Sequence, residues 1–176
     1  MNSAYSRKAA LVFRWICIFV LAVAPGLHAA DKVTVTIGKQ TISAYRTADL
    51  EDAKKEAAAA HKPIAWVASS PTVLDGRGTI SQTSGRGATL HAFLALHERT
   101  ILVFEDAYAE NHKVLPLVDT ALHTPNPHYD PPTVLFLDPA ATNVLAKITY
   151  EPNYVTRAHL FAKALNEVKE KLDSPP

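Results

Sequence analysis

Pro132-Thr133-Val134-Leu135-Phe136-Leu137-Asp138-Pro139 is the stretch on which the fold turns. After Thr133 it holds no polar side chain until Asp138, the pattern of a strand buried on both faces and not of one alternating between core and water. Pro132 can precede such a strand but cannot sit within its ladder, because it has no N–H to donate. Asp138-Pro139-Ala140-Ala141 reads as a turn, and Val144 to Tyr150 reads as the antiparallel partner that follows it.

Working upstream, Pro125, Pro127, Pro131 and Pro132 exclude regular structure, and Asn111 to Leu122 places Val114, Leu115, Val118 and Leu122 on one helical stripe. Ile101 to Phe104 is a second buried strand, ending in Glu105 and Asp106, and Ile64 to Ala68 is another, with Trp66 expected in the core. Between these strands Leu90, Phe93, Leu94 and His97 fit a helical face. Ser69 to Gly87 breaks the pattern with four of the chain's 6 glycines, and a polar segment of that length inside a domain is often functional, although a solvated insertion has the same composition. Before it, Leu50, Ala53, Ala57 and Ala60 form the stripe of a helix capped at Thr47 and stopped by Pro63. Val33, Val35 and Ile37, then Thr41 to Tyr45, alternate with polar residues, which predicts an N-terminal hairpin at the edge of the domain. Downstream, Thr156 to Leu172 carries Leu160, Phe161, Ala164, Leu165, Val168 and Leu172 at core spacing.

Residues 1–30 read as a signal peptide: Arg7, Lys8 and Arg14, an apolar run from Trp15 to Ala24, then Pro25, Gly26, Ala29 and Ala30. Extending the run back past Arg14 leaves an uncleaved anchor as the alternative. Removing this leader takes away three cations and no acid, leaving 15 Lys+Arg against 17 Asp+Glu of the full complement of 18 and 17. No basic stripe suited to nucleic acid and no polybasic block suited to a membrane surface is present, so no stable membrane insertion is expected after cleavage, and the expected location is periplasmic or secreted. Cys17, the 1 cysteine of the chain, lies in the leader, so no disulfide framework or thiolate metal cluster is expected in the body. The division expected is a signal peptide at 1–30, a β-hairpin extension at 31–46 and one α/β domain at 47–176.

Strands separated by helices and closed by a hairpin imply a mixed central sheet with helices on both faces. Over roughly residues 45–172 the chain resembles a secreted thioredoxin-like domain. The resemblance is carried by Asp49-Leu50-Glu51-Asp52-Ala53 through His61-Lys62-Pro63-Ile64-Ala65-Trp66, by Ile101-Leu102-Val103-Phe104-Glu105-Asp106, and above all by Pro132 to Pro139. It implies a cis proline at Pro132, before the third strand. It departs from the family where the paired cysteines should follow the first central strand, since that region reads Ser69-Ser70-Pro71-Thr72-Val73-Leu74. Dithiol exchange needs an attacking thiolate and a resolving thiol, and the mature chain supplies neither. Pro131 stands where the family offers a backbone N–H to an extended substrate, so half of that ladder is missing.

The function expected is therefore a non-redox, non-catalytic binding or scaffolding module for a protein or peptide partner, with no cofactor signature. Its candidate binding residues are Ser70, Pro71, Thr72, Val73, Tyr129, Asp130, Pro131 and Pro132, two loops that the resemblance places on one face. Tyr129, Phe93, Tyr108 and Tyr154 are candidate aromatic contacts, with core packing as the plainer reading. The alternative is a copper or zinc protein using His123, His128 and Asp130 with Asp119 in support, drawn from the seven histidines that follow the leader, at 61, 91, 97, 112, 123, 128 and 159; solvated histidines account for the same spacing. A hydrolytic Ser69, Ser70 or Thr72 lacks a G-x-S-x-G elbow. Glu105 and Asp106 close a strand where open α/β sheets bind ligands, yet strand-terminal acids are usually solvated.

Overall fold

The computed structural model describes residues 32–37, 40–69, 86–107, 109, 114–126, 128 and 130–174. Strands β1 (Val33–Ile37), β2 (Gln40–Arg46), β3 (Ile64–Ser69), β4 (Ile101–Asp106), β5 (Thr133–Leu137) and β6 (Val144–Ile148) form one six-stranded sheet in the order β1-β2-β4-β3-β5-β6. β2, β4 and β3 run parallel; β5 and β6 return antiparallel, and β1 is antiparallel to β2. Tyr45 and Arg46 pair with Val103 and Phe104, so the N-terminal hairpin is continuous with the central sheet and not an appendage to it. Among the described residues four α-helices accompany the strands, α1 (Leu50–Ala60), α2 (Arg86–Leu96), α3 (Pro116–Leu122) and α4 (Tyr154–Asp173), and a short 3-10 turn at Thr47–Asp49 leads into α1, so Thr47 does not cap it as expected.

Alternation along the central strands divides the core in two. Ala65, Val67, Leu102, Phe104, Val134 and Phe136 face α2 and α4, meeting Phe93, Leu96, Phe161, Leu165 and Val168. Ile64, Trp66, Ala68, Ile101, Val103, Leu135 and Leu137 face α1 and α3, meeting Leu50, Ala53, Ala57, Val118 and Leu122. Every residue of Thr133–Leu137 is buried, as expected of a strand covered on both faces.

Helix ends follow local chemistry. α1 stops at Ala60 because His61 adopts a left-handed conformation (φ 51°), while the His61 and Lys62 N–H groups donate to the Ala58 and Ala57 carbonyls. Ala60, expected on the buried stripe, is exposed. Pro116 begins α3 at its first position, where no N–H is required; of the helix expected from Asn111, Val114 and Leu115 instead precede it without helical structure, and residues 111–113 lie outside the described residues. At the other end of α3, Lys147 from β6 donates to the carbonyls of Ala121, Leu122 and Thr124 at 2.7, 2.9 and 2.8 Å. Burial pushes the Lys147 ammonium below its ordinary pKa. The Thr124–Pro125 and Pro131–Pro132 peptide bonds are cis.

Two helical stripes differ from expectation. In α2, Leu94 is exposed, whereas Thr89 and His91 are buried beside Ala92, Phe93 and Leu96. In α4, Leu160 faces outward and Arg157 is buried. In both helices, partners on other elements engage the buried polar groups, which licenses a rotation that hydrophobicity alone disfavours.

Candidate functional site

The carboxyl ends of β3 and β4 lie beside the start of β5: Ala68 pairs with Glu105 on one side and Thr133 on the other, and Ser69 pairs with Asp106. Since α2 follows β3 and α4 follows the end of β6 at Ile148, the first turns of both helices stand at this same end. The end is unusually polar inside. Ser69 Oγ and Thr89 Oγ1 share a hydrogen bond of 2.7 Å between buried side chains, and Thr133 Oγ1 donates to the Asp130 carbonyl at 3.0 Å. Trp66 Nε1 donates to Glu105 Oε2, and Glu105 is 1% exposed. The expectation that Glu105 is a solvated strand-terminal acid is therefore corrected: the indole N–H takes the place of water.

A second polar group lies between α2 and α4. Arg157 Nε donates to His91 Nδ1 at 2.9 Å, and Arg157 Nη1 donates to the Glu151 and Pro152 carbonyls. Tyr154 stacks on the His91 ring at 4.1 Å between centroids, and Phe161 meets it edge-on at 5.6 Å. Burial first, and the neighbouring Arg157 charge second, hold His91 below the ordinary imidazole pKa. Its Nδ1 accepts a hydrogen bond, so the neutral ring carries its proton on Nε2.

Of the expected binding residues, Pro132 is buried, Pro131 is half-buried and Asp130 is exposed at the head of β5. Ser70, Pro71, Thr72, Val73 and Tyr129 lie outside the described residues, as do Tyr108 and His112. Phe93, expected as a possible contact residue, is fully buried against Phe104, whereas Tyr154 is 63% exposed. Sequence reasoning overlooked Thr89 and Arg157; a buried hydroxyl and a buried guanidinium carry no signal in periodicity, since each is defined by a partner on a distant element.

The expected metal ligands are dispersed. His123 Nδ1 bonds back to the Asp119 carbonyl at 2.9 Å and stands 3.3 Å from Asp119 Oδ1. His128 and Asp130 instead line a cavity of about 150 Å³ with Leu122, Pro125, Asn126, Lys147, Thr149 and Tyr150. Among the described residues, no group of three or more His, Cys, Asp or Glu side chains has the arrangement to hold a metal ion.

At the opposite end of the sheet, a cavity of about 360 Å³ is lined by His61, Lys62, Pro63, Glu98, Arg99, Leu165, Val168, Lys169, Leu172 and Asp173. It is the roomier of the two, but its charged rim residues are mostly exposed, and Lys62 is engaged with the Glu98 carbonyl at 2.7 Å. The buried, mutually bonded polar groups lie at the other end, and they decide the choice of face. No family model matches the chain, and no curated protein matches it.

Proposed function

We propose that this protein is a secreted or periplasmic thioredoxin-like module without redox chemistry, which binds a protein or peptide partner at the carboxyl ends of β3 and β4, beside Pro131 and Pro132. The single observation that carries the reading is the strand order: three parallel strands, β2-β4-β3, continued by two antiparallel strands, β5 and β6, with helices on both faces. In open α/β sheets, ligands are held outside the carboxyl ends of the parallel strands. Here that end offers Asp130, Pro131 and the exposed ring of Tyr154 on a rigid two-sided core. With 1 cysteine in the whole chain, no intramolecular dithiol can form, which supports recognition over dithiol exchange as the role of this face. Pro131 lacks an N–H, so a partner strand paired there uses the Pro131 carbonyl and gains the rest of its affinity from side-chain contacts.

The test is photocross-linking in cells. A benzophenone amino acid placed at exposed Asp130 is expected to capture a discrete partner, whereas the same group at Glu98, on the cavity at the opposite end, is not. Capture from Glu98 alone would move the binding face to the opposite end, and capture from neither would remove the reading.

A further inference from the structure

We infer that the Arg157–His91 pair is a carboxylate-recognition subsite, which takes an acidic side chain of a peptide segment bound at this end of the sheet. The inference rests on the proposed partner face for its occupant, but its argument is independent. Arg157 belongs to the first turn of α4 and is 7% exposed. The helix dipole makes that turn positive, the less favourable place for a cation, and α4 carries no acidic residue there. A guanidinium so buried is ordinarily neutralised by a carboxylate. Yet its acceptors are all uncharged: His91 Nδ1, and the carbonyls of Glu151 and Pro152. Among the described residues the ion pairs form elsewhere, and none involves Arg157. The Glu151 carboxylate accepts the Asn153 N–H at 2.7 Å and forms no ion pair with Arg157.

Two donors remain for a ligand. Arg157 Nη2 has no acceptor among the described residues, nor has the Nε2–H that His91 must carry while Nδ1 accepts. The Tyr154 ring, 63% exposed and stacked on His91, adds an apolar wall beside them. The free guanidinium N–H offers a charge-assisted hydrogen bond, and one fixed positive charge matches a monoanion, which is the chemistry of an Asp or Glu side chain; the His91 Nε2–H, on the far side of the ring, is left for a neighbouring polar group of the same segment. A phosphate dianion fits less well, because only one fixed positive charge is available. Ligand binding would neutralise the guanidinium without requiring His91 to titrate.

The test uses the full chain, labelled with ¹⁵N, and two probes: the blocked tripeptides Ac-Gly-Glu-Gly-NH₂ and Ac-Gly-Gln-Gly-NH₂. At near-neutral pH the Glu peptide is expected to produce saturable shifts of the Arg157 Nε and His91 ring resonances, weakened by salt, and the Gln peptide none. Arg157→Gln is expected to weaken Glu-peptide binding by at least about tenfold. If that variant does not fold, the Glu-against-Gln comparison on the unaltered protein decides alone. Equal shifts from the two probes, or no saturable shift from the Glu peptide, would overturn the subsite. The outcomes separate the two proposals: Glu-selective shifts without Asp130 cross-links keep the subsite and remove the partner face, and cross-links without Glu selectivity do the reverse.

Discussion

Trp66 and Glu105 stand 39 residues apart in the chain, yet the indole N–H and the carboxylate meet inside the protein. Trp66→Phe keeps most of the apolar volume and removes this donor, leaving a buried carboxylate with one hydrogen bond fewer. We expect a loss of about 1–3 kcal/mol in urea unfolding, the cost of under-satisfying a buried polar group. His91 gives a pH-dependent counterpart. Unfolded, it titrates near 6.5; folded, burial and then Arg157 hold it lower. Below that pH the unfolded chain binds a proton that the folded chain refuses, so stability present above pH 6.5 is lost as pH falls toward the folded value. His91→Gln keeps an acceptor for Arg157 without titrating, and the fall in melting temperature between neutral and mildly acid pH should flatten in that variant; an unchanged slope would contradict it. These pairings explain what was hidden in the sequence. Trp66 reads as core from its apolar neighbours alone, whereas the burial of Glu105, His91, Thr89 and Arg157 depends on partners 39, 66 and 20 residues away.

At the scale of elements, the strands were the most legible, because burial on both faces leaves continuous apolar runs, and Thr133–Leu137 falls where the run predicts. Helix rotation was the least legible: Leu94 and Leu160 continue an apolar stripe in sequence but face outward, while polar residues bonded to other elements take their places. Helix termini were read through the wrong residue. Pro63 was expected to stop α1, but the chain turns at His61, whose φ of 51° suits glycine better. His61→Gly is therefore expected to raise stability by about 1 kcal/mol or less, the left-handed cost less glycine's larger entropy loss. A thermal melt checks the sign. The β5–β6 connection has its own fastener: Asp138 accepts from the backbone N–H groups of Thr142 and Asn143 and from both their side chains, at 2.6 to 3.1 Å. Burial pushes the Asp138 carboxyl pKa up, but these donors together outweigh it and hold the group below its ordinary value. Asp138→Ala should cost about 1–3 kcal/mol, and stability from the native carboxylate, present above its unfolded pKa near 3.9, should be lost as pH falls through the folded value.

For the molecule as a whole, the two faces of the sheet are closed by different helix pairs, so the fold has a core on each side. The mixed α/β architecture was legible from the order of elements, since helices between strands force parallel neighbours and the short turn at Asp138 forces an antiparallel pair. The incorporation of β2 was not, because an alternating hairpin looks the same whether it stands alone or joins β4 through Tyr45 and Arg46. The choice between the two ends was only half legible. The lack of a second cysteine was plain, but the buried Ser69–Thr89 and Trp66–Glu105 pairs that mark one end arise from tertiary contact. The central claim is that the partner binds at that end, and hydrogen exchange measured with and without the partner captured at Asp130 tests it most directly. We predict slowed exchange at Thr133, at the ends of β3 and β4 and in the first turn of α4, with His61, Lys62 and residues 97–100 unchanged. Protection confined to those latter residues, or no protection anywhere, would contradict the account.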